Sequence, residues 1–287
     1  AIEGLVCISP WLIGFLLFTA GPIIASLLIS FTKWSLIGAP EFAGLENFQY
    51  MMGDKFFWQA LKVTLKYLVN VPLNLALGLL LAILLNQKIR ALWLFRTIYY
   101  LPSVTAGVAV SLLWVWVFNP RFGLLNTMLA KVGIKGPAWL YDEHWVIPSL
   151  IIISIWGVGR SMLIYLGGLQ GIPTSLYEAA TIDGAGAWHR FRYVTIPMLS
   201  PVILFNLIMG IIGSFQVFDS VYVMTGGGPN YASLFYVLYL YQQAFQWFNM
   251  GYASALAWVL FLIILVCTAL IFKSSASWVY YEGGGVR

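Results

Sequence analysis

An all-α membrane protein with six transmembrane helices is the fold class this chain predicts, on three observations. Hydrophobic residues make up 61% of its 287 residues, against about 45–50% in soluble domains. Charged residues amount to only 9%. They also fall in clusters that leave long uncharged runs between them, most of them at or beyond the roughly 20 residues a helix needs to cross a bilayer.

The first span is placed at residues 5–31, within the uncharged run between Glu3 and Lys33. It is too long for a signal peptide and more spans follow it, so it is expected to stay uncleaved. A polar, aromatic loop from Lys33 to Ala60 comes next, with Gly38-Ala39-Pro40 as its turn. The second span, 61–85, ends before Lys88. The third, 97–118, fills the run between Arg96 and Arg121. The loop after it holds Gly133, Gly136 and Pro137, and a short helix is expected over 124–132. The fourth span, 146–169, contains Arg160. The fifth, 201–224, begins after Arg192, and the sixth, 252–272, ends before Lys273. Gly226-Gly227-Gly228-Pro229-Asn230 and the amides Gln242, Gln243, Gln246 and Asn249 separate the last two.

Pro10, Pro22, Pro72 and Pro102 fall inside spans and read as kinks that neighbouring helices tolerate. Tryptophans such as Trp34, Trp58, Trp116 and Trp145 fall near span ends, where amphipathic rings suit the headgroup layer. Cys7 and Cys267 read as small buried hydrophobes, with no disulfide framework. No soluble domain or repeat is visible. The chain divides into residues 1–60, a first span with its loop, and 61–287, a five-helix core. The positive-inside rule does not decide orientation: with the termini inside, seven Lys/Arg (Lys88 and Arg287 among them) fall on one side and seven on the other.

One polar stretch, Tyr177 to Pro201, interrupts this apolar chain. It has the grammar of a helix, a sharp turn and a second helix. Ser175 and Glu178 fit a capping box, with Pro173 just before it. Gly184 is placed to end the helix in a left-handed conformation. A second short helix over 188–194 carries Arg190 and Arg192, and Pro197 and Pro201 are expected to stop it and begin the next span. Such a hook between spans is a place where another protein can push.

The sequence EAATIDGAGAWHRFRYVTIPMLSP resembles the EAA loop of ABC-type importer permeases in its carbohydrate-uptake form. The pattern is EAA, three residues, Gly, nine residues, Ile-x-Leu-Pro. Glu178-Ala179-Ala180, Gly184 and Pro197 match it, with Val194 and Ile196 as conservative replacements. Asn119-Pro120, Gly168-Leu169-Gln170, Thr225-Gly226-Gly227-Gly228-Pro229 and Gly251-Tyr252-Ala253-Ser254-Ala255 are also typical of that family. The Gly-Gly-Pro loop favours the maltose-type first subunit over its shorter companion. The resemblance implies the type I importer permease fold, with the helix in loop 173–200 as a coupling helix. Glu178, Ala179, Ala180, Asp183 and Gly184 would then seat in a cleft of a cytoplasmic ATPase. It implies the bacterial inner membrane, cytoplasmic termini, a homologous second permease, two ATP-binding cassette subunits and an extracytoplasmic binding protein. ATP and Mg would belong to the partner ATPase, since this chain has no GxxxxGK[ST] phosphate loop.

Two helix faces are candidates for a path. Asn206, Gly210, Gly213, Ser214 and Val217 share a face of the fifth span, and Ser154, Gly157, Val158 and Ser161 a face of the fourth. Small residues on a face mean either tight helix packing or a cavity whose Asn and Ser meet sugar hydroxyls. The family's sugar site lies on corresponding parts of these spans. Arg160 is costly within a span and must face protein or water. It reads either as an ion pair within the complex or as a contact to an acidic solute, such as a uronate oligosaccharide or a sugar phosphate. Lys62 and Lys66 could help attract such a solute. Asp219, near the end of the fifth span, reads as a cap or pairing group. His144 and His189 stand apart and suggest no metal site, no nucleophile–base pair argues for catalysis, and nothing points to nucleic acid. An ion-coupled secondary transporter would need central carboxylates, which the spans lack, and polar faces argue against a passive scaffold.

Overall fold

The computed structural model describes residues 2–87 and 90–281, so Lys88 and Arg287 of the charge count lie outside the described residues. Helices α1 (Ile2–Phe15) and α2 (Gly21–Ser30) join through a π-helical turn at Leu16–Ala20. Pro22 cannot donate to the carbonyl a turn back, and the wider turn falls at that place. This rod meets the rest of the chain chiefly through α2 on the last helix. Cys7 is therefore exposed, not buried as expected.

The segment expected as a loop between the first two spans is ordered. Strands β1 (Thr32–Lys33) and β2 (Glu41–Phe42) pair antiparallel, with Thr32 opposite Phe42. Helix α3 (Glu46–Gly53) follows, and Asn47 Nδ2 donates to the carbonyls of Ser30 at 2.8 Å and Thr32 at 2.9 Å. Carbonyls left over at the end of α2 are thereby satisfied. Helix α4 (Lys55–Tyr67) starts ahead of residue 61 because Asp54 caps it, accepting from the Phe56 N–H at 2.9 Å. Helix α5 (Asn70–Leu85) continues the same rod after a break at Leu68 and Val69.

The third span is not one straight helix. Helices α6 (Leu92–Val104) and α7 (Gly107–Val117) meet at 99°. Pro102 removes a helical donor, and Thr105 and Ala106 then take extended backbone, ψ 142° and 129°. Helix α8 (Leu124–Lys131) lies where a short helix was expected. The fourth span is also broken, into α9 (Val146–Trp156) and α10 (Gly159–Gln170), bent by 44°. Helix α11 (Thr174–Ile182) is the first arm of the hook and α12 (Ala187–Arg190) begins the second.

That second arm does not stop at the prolines. A π-helical turn, Phe191–Thr195, carries it into α13 (Ile196–Phe215), and α14 (Asp219–Met224) follows. Pro201 leaves the Pro197 carbonyl without its helical donor, and the Ser200 hydroxyl supplies one at 2.6 Å. The continuous helix from Ala187 to Phe215 joins segments of 4, 5 and 20 residues, 29 in all. At 1.5 Å per residue it reaches about 43 Å, beyond a 30 Å hydrocarbon layer, so its polar start can project past the bilayer.

Helix α15 (Tyr236–Tyr241), extended by a π-helical turn at Gln242–Gln246, was not legible in the sequence, and α16 (Met250–Ser275) closes the chain. Leu234, Phe235, Tyr236, Leu238 and Tyr239 pack with Phe57 and Val63 of α4 and Ala255 and Leu256 of α16 in the larger core cluster. A second cluster joins Leu85 of α5, Met162, Leu166 and Leu169 of α10, Ile172 and Leu199. The two clusters hold opposite ends of the α4–α5 rod. Lys55, Lys66, Glu143, His144 and Asn230 line one basin at the α4 end, which gathers three connecting segments there. Tyr177 and Leu92 pack on the other cluster, which gathers the hook and the start of α6 at the α5 end.

Candidate functional site

All three helical rods that meet at the centre are interrupted at one level. The α4–α5 rod breaks at Leu68 and Val69, α9 gives way to α10 at Gly157 and Val158, and α13 ends at Phe215. Interrupted helices do not close on one another side by side, and a cavity of about 510 Å³ lies between them. Every one of the nine residues expected to face a path lines it. Ser154, Gly157, Arg160 and Ser161 come from the α9–α10 side, and Asn206, Gly210, Gly213, Ser214 and Val217 from the α13 side. The volume is in the range of pockets that hold small ligands.

The α4–α5 rod supplies lining residues that sequence reasoning missed: Tyr67, Asn70 and Asn74. Two amides one turn apart in an otherwise apolar run were the available signal. They knit the walls together. Asn70 Nδ2 donates to Ser214 Oγ at 3.0 Å, Asn74 Nδ2 donates to Ser154 Oγ at 3.1 Å, and Asn70 Oδ1 lies within hydrogen-bond reach of both Asn74 and Ser154. Ser214 donates to the Gly210 carbonyl at 2.8 Å and Ser161 to that of Val158 at 3.2 Å. Asn206 donates to the Val202 carbonyl at 3.0 Å. Each donor is thus satisfied in an apolar setting, while hydroxyl lone pairs remain able to accept.

The small residues divide between the two readings the sequence left open. A Cβ at Gly210 would meet Val71 at 3.2 Å, so that position serves helix packing. A Cβ at Gly213 would meet nothing within 4 Å, so that position serves open space. Arg160, in the first turn of α10, is exposed to the cavity and has no hydrogen bond or ion pair among the described residues. Among the described residues, no carboxylate lines the cavity.

The second candidate region is the hook. Glu178, Ala179, Asp183 and Gly184 are exposed and Ala180 is half-buried. The expected capping box does not form: Pro173 takes the cap position, α11 starts at Thr174, and no side chain caps it. Ser175 therefore lies inside the first turn, where its hydroxyl no longer reaches the orphan donors. The other end follows expectation. Gly184 has φ +78°, Ala185 N–H donates to the Ala180 carbonyl at 2.8 Å, and Gly184 N–H to that of Thr181 at 3.0 Å. This is a Schellman closure. Arg190 donates to Thr181 Oγ1 at 3.2 Å, and the hydroxyls of Tyr177 and Thr195 meet at 3.0 Å, so the arms are braced against each other. Ile182 and Trp188 are 86% and 69% exposed, an apolar offering at the tip that sequence reasoning passed over. A lone isoleucine and tryptophan among polar neighbours were the signal.

A polytopic helical protein with a polar cavity at its broken helices, and a braced, exposed helix pair at one end, is built as a membrane transport subunit. The chain belongs to the family described as binding-protein-dependent transport system inner membrane component, which matches residues 74–277. It is 45% identical over 287 residues to the probable ABC transporter permease protein YesP of Bacillus subtilis (strain 168), covering 98% of this chain and 93% of that one. It is 38% identical to the lactose transport system permease protein LacF of Rhizobium radiobacter, covering 96% and 94%. It superposes with TM-score 0.82 and 25% identity on a chain of a bacterial ABC transporter involved in the import of the acidic polysaccharide alginate, covering 93% and 92%. The fold is that of a type I ABC importer permease, and the chain is a permease subunit of a binding-protein-dependent sugar importer.

Proposed function

We propose that this subunit forms half of the translocation path for an acidic carbohydrate, a uronate oligosaccharide or a sugar phosphate. It does so in the bacterial inner membrane, beside a homologous second permease that supplies the other half. The observation that carries the reading is Arg160, an unpaired guanidinium in a cavity with no carboxylate of its own. A guanidinium there meets a carboxylate or phosphate in a bidentate fork. Asn70, Asn74, Ser154, Ser161, Asn206 and Ser214 surround it with groups that match hydroxyls. Gly157, Gly210, Gly213 and Val217 leave room and shape. The alginate importer gives an acidic precedent for the fold, and the lactose permease a neutral one.

The hook is the coupling element of this reading. Glu178, Ala179, Ala180, Asp183 and Gly184 seat in one of two ATP-binding cassette subunits, which bind ATP and Mg. The hook and both termini then face the cytoplasm, and a solute-binding protein docks on the opposite side. ATP closure pushes the hook, and the permease pair alternates between inward-open and outward-open states, because each ligand favours one of them. An ion-driven transporter would need a carboxylate at the path, and among the described residues the buried one is Asp54, held outside the cavity.

The test is to tag this chain, extract it gently, identify what co-purifies by mass spectrometry, and assay the complex in proteoliposomes. A second permease, a P-loop ATPase and ATP-driven uptake that prefers acidic over neutral oligosaccharides are expected. A chain that purifies alone after crosslinking, or uptake that follows an ion gradient without ATP, would overturn the assembly. Equal uptake of neutral sugars would overturn the acidic solute only.

A further inference from the structure

Away from the cavity and the hook, the segment between α7 and α9 forms a compact, built loop. Asn126 closes it: its Nδ2 donates to the carbonyls of Pro120 and Pro137, both at 3.1 Å, and its Oδ1 accepts from Trp139 Nε1 at 2.6 Å. Asn119 Oδ1 accepts from the N–H groups of Arg121 at 2.9 Å and Phe122 at 3.2 Å. Leu125 and Leu129 fix one face of α8 against Phe118, Trp139 and Leu140.

The other side of the loop is left open, and its chemistry is of two kinds. Arg121, Lys131 and Lys135 line a basin of about 740 Å³ that, among the described residues, no acidic side chain shares. None of the three has an ion pair among the described residues. Beside them Phe122, Met128, Val132 and Ile134 are each more than half exposed. Leu112 and Trp116 of α7, the helix that leads into the loop, are also more than half exposed, and Trp145, whose ring meets that of Trp139 at 5.6 Å, is exposed at the loop's far end, as is Tyr141. Amphipathic rings of that kind collect at headgroup depth.

We propose that this loop is an anionic-phospholipid anchor. The headgroup phosphate of a lipid such as phosphatidylglycerol occupies the basin of Arg121, Lys131 and Lys135, while Phe122, Met128 and Val132 enter the acyl boundary. Cations bordered by large apolar side chains are the signature of a surface lying in the interface plane. An acidic protein face would answer the cations but leave the apolar row against water, at the cost that exposed apolar area carries. The exposed apolar residues of α7, which leads directly into the loop, favour the lipid. Such an anchor is independent of which solute is carried.

Two measurements test it on the full chain, reconstituted into nanodiscs with the partner chains that co-purify. The first counts retained lipid by native mass spectrometry, in phosphatidylglycerol against phosphatidylcholine. Preferential retention of phosphatidylglycerol is expected, falling on the order of a hundredfold in R121Q/K131Q/K135Q, about fivefold per cation. The second places a nitroxide on Met128→Cys, in a background carrying Cys7→Ala and Cys267→Ala. Its collisions with oxygen should exceed those with a water-soluble nickel chelate, as they do inside a bilayer. Equal retention of the two lipids, or loss of no lipid in the triple variant, would overturn the anchor. So would a nitroxide open to the nickel chelate, which means water, or shielded from both, which means a covering protein.

Discussion

Arg160 and Gly213 show what single residues decide here. Arg160 reaches the cavity with no partner in the chain, so Arg160→Gln should leave folding within about 0.5 kcal/mol. Uptake of an acidic oligosaccharide should fall tenfold or more, since a charge-assisted hydrogen bond contributes about 1.5–3 kcal/mol. Initial-rate assays in proteoliposomes, with a neutral sugar as control, read both halves of that expectation. Unchanged acidic uptake removes Arg160 from the site. The glycines give a paired contrast. At Gly168 a Cβ would lie 2.8 Å from Leu199 Cδ2 and Val202 Cγ2, whereas at Gly213 it would meet nothing. Gly168→Ala should therefore cost about 1–3 kcal/mol by overpacking α10 on α13, seen as a lower melting temperature in detergent. Gly213→Ala should melt as the wild type does but narrow the cavity and slow uptake of the larger sugars. Helical spacing in the sequence placed Ser154, Gly157, Val158 and Ser161 of the fourth span, and Asn206, Gly210, Gly213, Ser214 and Val217 of the fifth, on the faces that line the cavity, because periodicity fixes direction. It could not tell Gly210, which packs on Val71, from Gly213, which faces space, because depth along a face depends on what the neighbouring helix brings. Asn70 and Asn74 were missed for the same reason: whether two amides face lipid or path is set by the partner helices.

At the scale of elements, the hook was legible in outline and wrong in detail. Its turn followed from Gly184, whose left-handed backbone closes α11 with two hydrogen bonds. A Cβ there meets open space, so Gly184→Ala should act through backbone strain alone, about 1–2 kcal/mol. The expected result is an assembled complex with weakened coupling between ATP hydrolysis and uptake, measured as the ratio of the two rates. Ser175→Ala is the matched control. A capping box at Ser175 would make this change costly, but Pro173 holds the cap position and the Ser175 side chain caps nothing, so coupling and stability should not change. The length of the second arm is not legible in the sequence, because its prolines read as stops. Proline removes one donor and crowds one turn. The π-helical turn before Pro197 widens the helix there, and the Ser200 hydroxyl repairs the carbonyl freed by Pro201. In the proposed coupling role, a push at Glu178 would pass through the braced arms to an unbroken helix that runs from the hook to the cavity. Helix α15 was invisible for another reason. Its apolar residues cover only six positions, too short a window for periodicity to separate a buried helix from a loop.

At the scale of the whole molecule, the 99° bend between α6 and α7 decides how many times the chain crosses. Four helices among the described residues are long and apolar enough to span, and each of the two bent pairs could add one. If α6–α7 turned back without crossing, the hook and the N-terminus would fall on opposite sides, because three crossings would separate them. Contacts within the chain argue otherwise. The start of α6 lies with Leu85 and Tyr177 at the hook end, through Leu92 in the cluster there and the Arg96 bond to the Leu85 carbonyl at 3.3 Å. The segment after α7 leads to Glu143 and His144, which share a basin with Lys55 of α4 and Asn230 at the other end. A bent pair that begins at one end and delivers the chain to the other has crossed, bend or no bend. Six crossings are then expected, with N-terminus, hook and C-terminus on one side. The measurement is cysteine labelling in sealed vesicles, with Cys7 and Cys267 replaced by alanine. Ala179→Cys on the hook should react only from the face where the N-terminus carries its tag. Ser35→Cys in the hairpin and Lys135→Cys after α8 should react only from the opposite face. A hook that labels from the same face as Ser35→Cys would mean that α6–α7 is re-entrant. No ATPase on the N-terminal side could then reach Glu178, and the coupling role would fall with the topology.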